Sequence, residues 1–121
     1  MRIGYAMVFV SDMARSVSFY RDVVGLPLKF ESPGWTEFAT EGATLALHAT
    51  EGASNERDAR QNVAGVCRPG LSVPNLDAFH DRMMENNVPC IQPPKETFGS
   101  RIAHYVDPDG LVISISAQRP R

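Results

Sequence analysis

The chain holds three histidines, and imidazole is the side chain that most readily exchanges a proton near neutral pH or ligates a transition metal. His48 and His104 each lie in short apolar stretches and are the candidate acid–base groups. The rival reading for both is an ordinary strand histidine near a pocket rim. His80 sits among Asp77, Asp81 and Arg82 and reads as solvated. Glu37 is the nearest carboxylate that could join His48 and His104 as a third donor to a relocated metal. Arg68 is a lone charge in an otherwise apolar stretch. It reads either as half of a salt bridge or as a planar fork for a ligand carboxylate or phosphate. Trp35, the only tryptophan, reads as core or as a wall on which a flat ligand stacks. No nucleophile–base constellation and no glycine-rich phosphate loop accompanies these residues. Cys67 and Cys90 form no C-x-x-C and are expected to be reduced thiols.

The composition narrows what such residues could serve. The chain has 121 residues, enough for one domain with a true core. Hydrophobic residues make up 43% and charged residues 21%, which excludes a chain disordered throughout. The formal net charge is −2, and the basic residues are scattered and outnumbered by acids. Binding to a phosphate backbone needs a basic face, so nucleic acid is not an expected partner. No apolar run approaches the roughly 20 residues of a membrane span. The N-terminus enters an alternating pattern at once, with no signal-peptide pattern, so a cytoplasmic location and no membrane partner are expected.

The elements that must position the candidates can be read from periodicity. Residues 3–10 alternate as a strand. Asp12 is a helix N-cap candidate. Met13, Val17, Tyr20 and Val24 recur at helical spacing, Gly25 stands where a helix would end, and Pro27 forbids continuation. Strands are predicted at 28–31, 35–40 and 43–49, with turns at Pro33-Gly34 and Glu41-Gly42. Residues 51–64 are polar, mixed in charge and poor in large apolar side chains, as in a linker. The pattern then restarts: a strand at 66–73, an N-cap at Asn75, an apolar stripe of Leu76, Phe79 and Met83, and a break at Asn86-Asn87 and Pro89. A short strand at 90–92 follows. Strands at 101–106 and 111–117 are joined by the turn Asp107-Pro108-Asp109-Gly110. Pro93 to Ser100 reads as a loop, with Phe98 a candidate lid residue.

The order is therefore βαβββ, linker, βαβββ. Val10-Ser11-Asp12-Met13 falls against Val73-Pro74-Asn75-Leu76, a repeat of pattern with little identity. One helix covers one face of a four-stranded sheet, so the other face must curve around a ligand or bury against a second module. The expected fold is α+β, with paired βαβββ modules, each a curved mixed four-stranded sheet with one helix. Module one spans about 1–50, the linker about 51–64 and module two about 65–118 of a single domain over 1–121.

Two motifs carry a family resemblance. Val8-Phe9-Val10-Ser11-Asp12-Met13-Ala14-Arg15-Ser16-Val17-Ser18-Phe19-Tyr20-Arg21-Asp22-Val23-Val24-Gly25-Leu26 resembles the opening of vicinal-oxygen-chelate proteins, V-x-D-x-x-x-S-x-x-F-Y-x-x-x-L-G. Asp107-Pro108-Asp109-Gly110-Leu111-Val112-Ile113 resembles their last hairpin. This superfamily includes glyoxalases, bleomycin-resistance proteins and extradiol dioxygenases. The resemblance implies four metal-ligand positions on the concave sheet face, usually His, Glu or Gln. Here they fall on Tyr5, Ala46, on or near Arg68, and Ser114. A divalent transition metal needs imidazole, carboxylate or thiolate donors converging at about 2.0–2.3 Å. A methyl group supplies none, and a guanidinium repels the cation. No metal and no other cofactor is therefore expected.

Alternation along the strands extends the pocket that the resemblance implies. Met7 and Phe9 follow Tyr5, and Thr44 and His48 flank Ala46. Val112 and Ser116 flank Ser114, and Gly70 and Ser72 follow Arg68. By the same resemblance, Ile102 and His104 face inward unless a bulge reverses them. The expected ligand-binding residues are Tyr5, Met7, Phe9, Trp35, Ala46, His48, Arg68, Phe98, His104 and Ser114. The reading that follows is metal-independent binding of a small organic molecule, as in drug or metabolite sequestration, by a homodimer. The alternative is a glyoxalase-like lyase, isomerase or dioxygenase that uses His48 and His104 as acid–base groups or non-standard metal ligands.

Overall fold

Two sheets of the same strand order organise the computed structural model, which describes residues 1–50, 64, 67–97 and 99–118. The chain divides into two compact units, Met1–Ser54 and Asn55–Arg121. The proposed linker at 51–64 lies outside the described residues except for Ala64.

In the first unit β1 (Tyr5–Val10) leads into α1 (Met13–Ser18), a π-helical continuation (Phe19–Val24), and β2 (Leu28–Glu31), β3 (Trp35–Phe38) and β4 (Thr44–Ala49). The helix begins where Asp12 accepts a hydrogen bond from the Arg15 N–H at 3.1 Å. It ends at Gly25, whose φ of 97° is left-handed. There the Leu26 N–H reaches back to the Tyr20 carbonyl at 2.9 Å, closing the last turn. The strands lie in the order β1-β4-β3-β2. β1 and β4 are parallel and the other pairs antiparallel. Val8, Val10, Phe38, Leu45 and Leu47 on one sheet face are buried together with Val17, Tyr20 and Val24 of the helical segment. The Tyr20 and Phe38 rings meet at 6.2 Å. Burial of each such side chain contributes about 1.5–3 kcal/mol, and this helix-covered face holds the unit together.

The second unit repeats the plan with β5 (Gly70–Val73), α2 (Leu76–Glu85), β6 (Cys90–Thr97), β7 (Ser100–Val106) and β8 (Val112–Ala117), in the order β5-β8-β7-β6. Asn75 caps α2 by accepting from the Ala78 N–H at 3.0 Å. Asn87, with φ of 56°, turns the chain out of the helix. Leu76, Phe79 and Met83 are buried, as are Ala103, Tyr105, Ile113 and Ile115 of the sheet. The Phe79 and Tyr105 rings lie 5.7 Å apart. The hairpin between β7 and β8 is locked by Asp107, a buried carboxylate that accepts from the N–H groups of Asp109 and Leu111 at 2.9 and 2.8 Å.

Several expectations need correction. Of the loop expected over 93–100, residues 93–97 are strand instead: β6 continues to Thr97 and pairs with β7 through Lys95↔Ile102 and Thr97↔Ser100. Pro93 and Pro94 are tolerated because β6 is an edge strand, and a register shift between Gln92 and Lys95 absorbs them. Phe98, the expected lid residue, lies outside the described residues. The strand expected from 66 begins only at Gly70. His80 is not solvated: it is half-buried, and its Nδ1 shares a 2.9 Å hydrogen bond with the Tyr105 hydroxyl. Burial pushes that phenol up to about 12.

Candidate functional site

Each sheet has one helix-covered face and one open face, and strand register decides which residues stand on the open one. In the first unit the pairs Tyr5↔Thr44, Met7↔Ala46 and Phe9↔His48 place those six residues on a common side. Trp35↔His48, Glu37↔Ala46 and Phe30↔Glu37 extend that side across β3 and β2. Tyr5, Phe9 and Phe30 are 57%, 47% and 53% exposed, so this is an uncovered aromatic surface. Ala46 has the same orientation yet is fully buried. Its methyl is short and its cross-strand partners, Met7 and Glu37, are long. It therefore forms the floor of the surface, not a contact group.

The rings interlock. Trp35 stands edge-on to Tyr5 at 5.7 Å and 82°, and edge-on to His48 at 6.1 Å and 89°. Phe9 leans on the other side of His48 at 5.5 Å. Edge-to-face contacts of this kind are favourable because each positive ring edge meets a negative ring face. The Trp35 indole N–H donates to Glu37 Oε2 at 2.8 Å, and Lys29 Nζ lies 3.6 Å from Glu37 Oε1. His48 Nδ1 donates to the Ala49 carbonyl at 2.7 Å, which leaves Nε2 as the lone-pair nitrogen of the neutral ring.

The open face of the second unit has a different chemistry. Gly70↔Ser114, Ser72↔Ser116, His104↔Ser114 and Ile102↔Ser116 put glycine, three serines, an isoleucine and a histidine side by side. No bulge reverses His104, which keeps regular register with Ser114 on β8. The Ser72 and Ser116 hydroxyls are hydrogen-bonded at 3.1 Å. Arg68 is half-buried just before β5. Burial, and then the charge of Arg68, push the His104 imidazolium below its ordinary value. His104 is thus neutral at physiological pH, able to donate from one nitrogen and accept at the other.

Of the residues expected to line a pocket, Tyr5, Met7, Phe9, Trp35, Ala46 and His48 share the first open face. Arg68, His104 and Ser114 belong to the second unit. Sequence reasoning missed Phe30 and Lys29 on the first face and Gln92, the register partner of His104, on the second. No signal in the sequence gave the first two: alternation along β2 would part Lys29 from Phe30, and a register shift between Leu28 and Phe30 brings both to the Glu37 side.

The four positions that the resemblance implies as metal ligands carry the phenol of Tyr5, the methyl of Ala46, on or near the third the guanidinium of Arg68, and the hydroxyl of Ser114, a set that does not fit a divalent transition ion. Among the described residues, no three His, Cys, Asp or Glu side chains come together in a way that could hold one elsewhere. Glu37, weighed as a relocated ligand, already receives Trp35 and Lys29.

A family model for the Glyoxalase/Bleomycin resistance protein/Dioxygenase superfamily matches residues 2–115. The chain belongs to that superfamily. YraH of Bacillus subtilis (strain 168) is 26% identical over 95% of this chain and 97% of its own. The crystal structure of TnmS3, an antibiotic binding protein from Streptomyces sp. CB03234, is 28% identical, with a TM-score of 0.73 over 98% of this chain and 97% of that one. The crystal structure of a glyoxalase/dioxygenase from Nostoc punctiforme shares the fold at a TM-score of 0.83 and 21% identity, over 98% of this chain and 92% of that one.

Proposed function

We propose that this superfamily member binds a small, flat organic molecule without a metal, in the manner of a drug- or metabolite-sequestering protein. The observation that carries the reading is the exposed, interlocked ring surface of Tyr5, Phe9, Trp35 and His48, set beside family ligand positions that cannot donate to a cation. Such a surface offers stacking area with few polar groups, the usual make-up of a small-molecule site. The likeness to an antibiotic binding protein supports it. For the second unit, the reading takes Arg68, His104 and Ser114 as polar binding groups of that unit's own open face. It also includes a homodimer, since the exposed edge strand β2 and the open faces gain from being covered.

The test uses Trp35 as its own reporter. Aromatic antibiotics and simple naphthalenes are titrated into protein purified without chelator, with and without EDTA. The expected result is saturable quenching unchanged by EDTA, with the ligand recovered intact. Stoichiometric zinc, nickel or iron that binding or turnover requires would overturn the reading. A second reading, acid–base catalysis, draws on His48, whose Nδ1 anchor presents Nε2 as a base. Conversion of a bound ligand that His48→Gln abolishes without loss of affinity would favour it.

A further inference from the structure

We infer that Glu37 determines specificity on the aromatic face: it positions the Trp35 indole and accepts a hydrogen bond from an O–H or N–H donor on the ligand. The inference rests on the binding reading above and names the ligand class it implies, a planar aromatic molecule with a neutral donor at its edge. Glu37 lies mid-face, with Ala46 opposite it on β4 and Phe30 opposite it on β2. Both neighbours are apolar, so a ligand lying over them meets one carboxylate, with the Lys29 ammonium at its far oxygen. The Glu37 side chain is 29% exposed and within reach of such a ligand.

An ionised carboxylate offers about four acceptor positions on its two oxygens. Trp35 occupies one on Oε2 and Lys29 faces Oε1, so each oxygen retains acceptor capacity. A donor brought there forms a charge-assisted hydrogen bond, roughly twice as strong as a neutral one. A ligand carboxylate would face Glu37 as a like charge and is disfavoured. The same carboxylate orients the stacking surface. With its N–H held at 2.8 Å, the indole stays perpendicular to both Tyr5 and His48.

Equilibrium dialysis at neutral pH of 2-naphthol and 2-methoxynaphthalene separates the possibilities, because the two share a ring system and differ in the donor. Wild-type protein should prefer 2-naphthol by about 10-fold, the equivalent of about 1.4 kcal/mol. Glu37→Leu should bind both probes with that preference gone, and the steady-state anisotropy of Trp35 should fall. Glu37→Gln, which keeps an acceptor oxygen, should retain part of the preference and of the anisotropy, a rescue that a purely structural role does not produce. Equal affinity of wild-type protein for the two probes, or a preference that survives in Glu37→Leu, would overturn the role of Glu37 while leaving the binding face intact. Failure of wild-type protein to bind either probe would overturn the inference and the binding reading together.

Discussion

The open face of the first unit presents rings, and the open face of the second presents hydroxyls, although both sheets share one strand order and one pattern of parallel and antiparallel pairs. On the helix-covered side the units agree: Val8, Val10, Leu45, Leu47 and Phe38 in one, Ala103, Tyr105, Ile113 and Ile115 in the other. On the open side Met7, Phe9, Ala46 and His48 stand in the first unit where Gly70, Ser72, Ser114 and Ser116 stand in the second, and Trp35 stands where Ile102 does. A strand sends alternate residues to opposite faces. The residues facing the helix must be apolar for the unit to fold, and the residues between them remain at liberty to diverge. The repeat therefore preserves architecture while the open faces differ: mostly rings on one, mostly small polar groups on the other.

The largest expected effect comes from breaking the shared, buried side. Phe38→Ala empties a fully buried ring position in the first unit and should cost about 3–5 kcal/mol. Urea unfolding followed by Trp35 fluorescence reads it directly, because the only tryptophan lies in that unit. A loss under 1 kcal/mol would mean that the ring does not hold the helix to the sheet.

The difference between the open faces is tested next. Trp35→Ala should weaken a stacking ligand about 10-fold or more, whereas Ser114→Ala should change affinity less than about 3-fold. The reverse order would move recognition to the second face.

The pH response concerns the second face. His104 is held below its ordinary value of 6.5, so its neutral form is favoured in the folded state. As pH falls, the unfolded chain takes up that proton first. Stability contributed by the neutral ring is therefore complete above about 6.5 and declines as pH falls from there toward the lower folded value. An NMR titration of the imidazole should show a midpoint under 6.5, and Arg68→Ala should raise it. A midpoint at or above the ordinary value would contradict the burial of the ring, and an unchanged midpoint in Arg68→Ala would contradict the placement of Arg68 near His104.

The smallest effect concerns Ser16, whose Oγ is the one buried side-chain oxygen among the described residues without a hydrogen-bond partner. Ser16→Ala should be neutral or stabilising by about 1 kcal/mol, measured as a rise in Tm, because it removes an unsatisfied polar atom. A clear drop in Tm would reveal a bond to water that this oxygen makes.

Much of this comparison was legible in the residues alone. The caps at Asp12 and Asn75, the stop at Gly25 and the turn at Asp107 to Gly110 are local chemistry, and each appears where the pattern placed it. The hairpin of β6 and β7 was obscured by Pro93 and Pro94, which suggest a loop until the strand is known to be an edge. The solvated reading of His80 failed because its partner, Tyr105, is distant in the chain and comes near only through packing of α2 on β7. The hydrogen bond of Trp35 to Glu37 follows from i, i+2 spacing on a strand, yet only the observed face and rotamers show that it forms.

Alternation, helical spacing and capping residues were enough to establish two βαβββ units, because those properties depend on side-chain type and near-neighbour order. Which side chains stand uncovered, which are roofed by longer neighbours as Ala46 is, and which donors find acceptors were decided by cross-strand register and packing. Those are relations between residues far apart in the chain, and a linear order of letters does not contain their distances.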